Sequence, residues 1–169
     1  MLRTAPAPSG PAVSAAVFAA GLQAEHDALG VFIGLLLAEQ AILVRGDAEG
    51  LAALASDKAD KINLLTLLGE QRSRHLAAEG LSESAGGMLT WLSRHAGSAA
   101  TVRKTWTELL ARAETARQIT LINGLLIESG LRQNRLKLTA LQNAAASDGV
   151  YRPDGQLRPL RSARSLSQV

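Results

Sequence analysis

At 169 residues the chain is long enough for one domain with its own core. Its Ala, Leu, Glu, Arg and Gln vocabulary, with only 3% aromatics, argues for helices and against sheets. The absence of cysteine excludes disulfides, thiolate metal sites and a cysteine nucleophile, and fits a reducing cytoplasm. A net charge of +3, with acids and bases interleaved along most of the chain, argues against a nucleic-acid binder, which concentrates its charge on one face.

Residues 1–13 are rich in Ala and Pro and are expected to be a disordered lead-in. Arg3 followed by Ala12–Ala24 imitates a secretory leader. Pro6, Pro8, Gly10 and Pro11, however, stand where its apolar region should begin, and the run itself is mostly Ala. No run approaches the ~20 apolar residues of a membrane span, so a soluble, cytoplasmic protein without membrane insertion is expected. A first helix is predicted from about Ser14 to Arg45, with the stripe Phe18, Leu22, Leu29, Ile33, Leu36 and Leu43. His26 lies on that stripe without a second ligand at helical spacing, and is read as a half-buried seam residue.

Gly46-Asp47 stops one helix and caps the next. So short a connection makes the two helices antiparallel neighbours. The second helix is predicted over Ala48–Ala78, with the stripe Leu51, Leu54, Ile62, Leu65, Leu68 and Leu76. Lys58, Lys61 and Arg72 fall at its margins as solvated or snorkelling side chains. Asp57 and Asp60 flank Lys58 as surface charge pairing, and Arg72, Arg74 and His75 form a basic cluster near the helix end, where the macrodipole favours cations. After Gly80, a short amphipathic segment holds Met88, Leu89, Trp91 and Leu92. Gly86-Gly87 makes it marginal as a helix. It is expected to cross over one end of a bundle, with Trp91 as a core anchor.

From Ser98 to Ala146 no proline interrupts, and a single helix of that length is roughly 70 Å long. Apolar or small residues recur in steps of three and four at Val102, Trp106, Leu109, Ala113 and Ala116, then at Ile127, Leu131, Leu138 and Leu141. Thr120, Asn123 and Asn134 fall in the same seam, and Asn123 and Asn134 are expected to set register as buried amides. The fold class is therefore all-α: an elongated antiparallel helical bundle or coiled coil with one very long C-terminal helix. The bundle domain is placed at residues 14–147, with a flexible segment at 148–169. That segment holds the Pro153-Asp154-Gly155 turn and an Arg-containing tail.

No catalytic constellation emerges. His26, His75 and His95 are dispersed, and no phosphate-binding glycine loop follows a strand. No enzyme activity, cofactor or metal is expected.

Three blocks of the chain together carry a resemblance to a known family. The first is Leu43-Val44-Arg45-Gly46-Asp47, continuing to Leu51 and Leu54. The second runs from Lys58 through Leu64-Leu65, Leu68, Gln71-Arg72 and Leu76 to Gly80. The third is Asn123-Gly124-Leu125-Leu126-Ile127, then Asn134 and Leu138, closing with Tyr151-Arg152-Pro153-Asp154-Gly155-Gln156. The third block is the most specific, and together the three resemble FlgN-type flagellar export chaperones. The resemblance spans about Phe18 to Gln156; the Ala/Pro start and Arg-rich end lie outside it.

The resemblance implies a cytoplasmic chaperone that binds hook-associated proteins of the hook–filament junction and delivers them to the flagellar type III export gate. The client surface would lie late in the long helix and beyond it, on Ile127, Leu131, Leu138, Leu141, Val150, Leu157 and Leu160. Tyr151 would dock the export gate. Arg152-Pro153 departs from the small residues often found between that Tyr and the Asp. The residues themselves fit such a role: Ile122, Leu126, Leu136 and Ala140 point away from the first seam, and two seams on one helix suggest two partners. The alternative from another class is a structural or signalling coiled-coil adaptor that self-associates through these seams, and a homo-oligomer of the free protein is left open.

Overall fold

The computed structural model describes residues 11–95 and 99–148, with side chains described over 15–95 and 99–145. Four helices follow in order: α1 (Pro11–Arg45), α2 (Ala48–Ala78), α3 (Ala85–Arg94) and α4 (Ala99–Asp148). No strand occurs among the described residues, and the fold is all-α. The chain divides into two units, Met1–Ile127 and Glu128–Val169.

In the first unit, local chemistry sets the helix ends. Gly46 takes φ +69°, and its N–H donates to the Leu43 carbonyl at 3.1 Å. Asp47 is extended and its carboxylate accepts from the Gly50 N–H at 2.9 Å, capping α2 as its sequence predicts. At the far end of α2, Leu81 donates back to the Leu76 carbonyl at 2.9 Å, the long bond of a Schellman closure. α1 begins earlier than expected, at Pro11, inside the stretch read as a lead-in. Proline is well suited to a first helical turn because its missing N–H would find no partner there.

The cross-helix pairs fix the topology. Phe18 stacks on His75, Glu25 pairs with Arg72, and Glu39 pairs with Lys58, so α1 and α2 run antiparallel. Gln23 meets Thr105, the His26 carbonyl meets Arg112, and Leu36 meets Asn123, so α4 up to that point runs parallel to α1. The core is formed by Phe18, Leu22, Leu29 and Leu36 of α1, Leu76 of α2, Met88, Trp91 and Leu92 of α3, and Val102, Leu109, Ala116 and Ile119 of α4.

α3 closes one end of this core. Its Trp91 is fully buried, as expected of an anchor; the ring lies 4.4 Å from Phe18 and 4.2 Å from His95, and its indole N–H donates to Glu79 at 2.9 Å. Gly87 is a requirement of this crossover and not merely a weakness. A Cβ there would stand 1.8 Å from the Ser82 carbonyl oxygen.

Several charged residues expected at the surface tie the helices together. Arg72 donates to Glu25 through Nε at 2.9 Å and Nη2 at 3.3 Å, with its guanidinium carbon 5.3 Å from the Trp106 ring centre. Lys58 pairs across to Glu39, not with its neighbours Asp57 and Asp60. The expected basic cluster is dispersed: Arg74 pairs with Glu70, and His75 packs on Phe18. The reason is reach. Long side chains at a stripe's margin lie beside the neighbouring helix, where an opposite charge is available.

The buried row of α4 is Val102, Thr105, Leu109, Arg112, Ala116, Ile119, Asn123 and Leu126, in strict steps of three and four; Arg112 and Leu126 are half-buried. Val102, Leu109, Ala116 and Asn123 match the expected seam. Trp106 is half-buried, whereas Ala113 and Thr120 are exposed. The correction has a physical cause: α1 supplies polar partners for the row. Arg112 donates to the His26 carbonyl at 2.8 Å and lies over Gly30, where a Cβ would come within 2.5 Å of its Nη1. Thr105 donates to Gln23 at 3.3 Å.

In the second unit, α4 continues from Glu128 to Asp148, and every side chain from Glu128 to Ala145 is exposed. Residues 1–10 and 149–169 lie outside the described residues.

Candidate partner-binding surface

The polar anchor of the first unit is Asn123, which is 2% exposed. Its Nδ2 donates to the Leu36 carbonyl and to Glu39 Oε2, both at 2.9 Å, while its Oδ1 has no partner among the described residues. A buried amide held this way stabilises one helix register over its slips. Beyond it the buried row reaches Leu126 and then meets Gly130, Gln133 and Lys137 at the next heptad positions. Those residues offer little to bury.

The apolar residues move over by one position. Ile127, Leu131, Asn134, Leu138, Leu141 and Ala145 follow in steps of four and three, forming a second heptad row about 100° round the helix from the first. Leu131, Leu138 and Leu141 are 53%, 59% and 66% exposed. Ile127 is also exposed, and in the first unit it lines a cavity of about 430 Å³ with Leu51, Leu54, Ala55, Ala59 and Ile62, rimmed by Lys58 and Glu39. Asn134, expected as a buried amide, is exposed. Among the expected outward residues, Ile122, Leu136 and Ala140 are exposed, while Leu126 is half-buried as the last member of the inner row. Leu121 and Leu125 add to the outward apolar surface and carried no signal of their own in the sequence, since leucine is common on both faces. Val150, Tyr151, Leu157 and Leu160 lie outside the described residues.

Clustered exposed leucines at heptad spacing make this row the candidate surface for a partner helix. His26 is buried, with Nδ1 3.0 Å from Asp27 and Nε2 3.6 Å from Glu108. The hydrogen bond from His26 holds the Asp27 carboxyl below its usual range. His75 and His95 approach Glu79 Oε1 at 3.5 and 3.7 Å, and their rings pack on Phe18 and Trp91 respectively. Among the described residues no group of three His, Cys, Asp or Glu side chains could hold a metal ion.

One stretch, Ala15–Arg45 in α1, does pass the length and composition test for a membrane span, contrary to the expectation that none would. In this fold the stretch contributes Leu22, Leu29 and Leu36 to the core, and its Glu25 and Glu39 are ion-paired to α2.

The described residues define an all-α protein with a row of exposed leucines on its last helix. A family model described as FlgN protein matches residues 14–159, and the chain belongs to the FlgN family. It is a family of soluble flagellar export chaperones, not of enzymes. Neither the comparison with curated proteins nor that with solved structures gives a match.

Proposed function

We propose that this protein is a cytoplasmic chaperone of flagellar type III export that binds hook-associated proteins, holds them unassembled and delivers them to the export gate. The observation that carries the reading is the exposed row Ile127–Leu131–Leu138–Leu141 on α4 of a FlgN-family chain. A junction subunit's terminal helix is apolar on the face it uses in assembly. Covering that face with a substitute helix keeps it soluble and prevents premature polymerisation. Val150, Leu157 and Leu160 extend the client surface, Asn134 sets its register, and Tyr151 docks the gate with a large ring and a hydroxyl suited to the rim of a pocket.

The test is calorimetric titration with the terminal helical segment of a hook-associated protein. Leu138→Glu, at an exposed position, leaves the fold intact and weakens client binding by about 2–4 kcal/mol if the residue is a hot spot. Unchanged client affinity in the folded variant moves the site elsewhere. Tyr151→Ala retains client binding and loses the gate component; equal loss of both defeats the docking role. The exposed leucines also favour a second reading, self-association. It predicts a concentration-dependent mass that Leu138→Glu abolishes, with no client bound.

A further inference from the structure

The outer heptad row carries more than leucines. Between Ser129 and Ser147, α4 contains Arg132, Arg135 and Lys137 and no acidic residue. Counted to the C-terminus, residues 129–169 hold seven Arg and Lys against Asp148 and Asp154, a net +5. The whole chain is +3, so residues 1–128 sum to −2. The modest total conceals a segregated charge.

The placement of these cations is specific. With Leu131, Asn134, Leu138 and Leu141 as the a and d positions of two heptads, Arg135 takes the e position and Lys137 the g position between them. Those two positions border the seam, and they choose a partner by charge. Arg135 and Lys137 are exposed and have no ion-pair partner among the described residues, whereas Arg132, further round the helix, pairs with Glu128 at 3.5 Å. Asn134 sits between the cations, at the one polar position of the apolar row.

We infer that this face selects an amphipathic partner helix with acidic residues flanking its apolar stripe and a hydrogen-bonding side chain opposite Asn134. The inference rests on the helix-binding role proposed above and adds what kind of helix is taken. A second copy is a poor occupant, because the stretch from Ser129 to Ser147 offers no carboxylate to either cation. Nucleic acid is a poor occupant too: the row between the cations is leucine and Asn134, with no aromatic ring for a base to stack on. An acidic helix satisfies both components, burying the leucines and neutralising Arg135 and Lys137. A facing polar group gives the Asn134 amide a partner once water is excluded.

Two synthetic heptad peptides test this on the full-length protein. They share Leu at a and d with one Asn placed to face Asn134, and differ only in carrying Glu or Lys at every e and g. Fluorescence anisotropy is expected to show the Glu peptide binding about tenfold tighter or more, with the advantage shrinking as salt rises from 50 to 300 mM. R135E/K137E is expected to reverse the preference without changing helicity. Replacing the peptide's Asn by Leu weakens binding by about threefold or more. Equal binding of the two peptides overturns the inference while the helix-docking role stands, as does a preference that survives R135E/K137E. Binding of neither peptide, with the hook-associated segment still bound, overturns it in the same way. Failure of all three removes the docking role itself. A short DNA duplex that binds where the Glu peptide does not assigns the cations to nucleic acid and also overturns it.

Discussion

Replacing Arg72 by Met tests how far the bundle depends on one cross-helix ion pair. The Glu25 and Arg72 side chains are only 11% and 20% exposed, their two bonds span 2.9 and 3.3 Å, and the guanidinium lies over Trp106. Arg72→Met keeps the stem packing but strands the Glu25 carboxylate between α1 and α2. Breaking a fully buried pair costs about 3–5 kcal/mol. Residual exposure reduces that to about 2–3, and the lost ring contact adds about 0.5–1, for a total near 3 kcal/mol. Glu25→Leu costs less, about 2 kcal/mol, because Arg72 retains the Trp106 face and some water. The double variant removes both charges and leaves an apolar contact, at a cost of about 1 kcal/mol. Urea unfolding followed by circular dichroism, with unchanged m-values, gives the four stabilities. These costs correspond to a coupling of about 4 kcal/mol. Costs that add within about 0.5 kcal/mol would refute the reasoning, since independent sites behave that way.

The two neighbouring glycines of α3 are expected to respond in opposite directions. Gly87→Ala drives a Cβ into the Ser82 backbone and destabilises by about 1–3 kcal/mol. Gly86→Ala, whose Cβ meets only Ser84 Oγ at 3.5 Å, stabilises by about 0.4–1 kcal/mol. Thermal melts that move together contradict the geometry. Exposed Glu114 accepts from Arg117 at 2.9 Å through both oxygens and from Gln118, and these bonds pull its pKa from 4.5 to about 2. A carboxyl depressed on folding stabilises above its unfolded pKa and loses that contribution as pH falls through its folded value. The Glu114 contribution is therefore complete above about pH 4.5 and gone below about 2. A carbon-detected NMR titration checks the low midpoint, and Arg117→Ala returns it toward the ordinary value.

The all-α class, the Gly46-Asp47 turn and the limits of α2 were legible in the sequence, because each is set within a few residues. A positive-φ glycine beside a capping aspartate needs no distant partner to act. The family resemblance rested on the same local blocks, and the match over residues 14–159 covers them. Sequence periodicity also showed that α4 carries more than one apolar row.

Only the tertiary structure decided which row faces inward. In the first unit α4 also offers Leu110, Leu121 and Leu125, and hydrophobicity alone would bury these before Thr105, Arg112 and Asn123. The inner row is covered because α1 presents the His26 and Leu36 carbonyls, Gln23, Glu39 and the open space above Gly30 along that line. Each of those contacts joins residues more than eighty positions apart. The same holds for Glu25 with Arg72 and Glu39 with Lys58, whose partners a single-helix pattern cannot name. A helix's own sequence records which positions share a face; which face is covered depends on donors and acceptors supplied by another helix, at separations that local spacing does not encode.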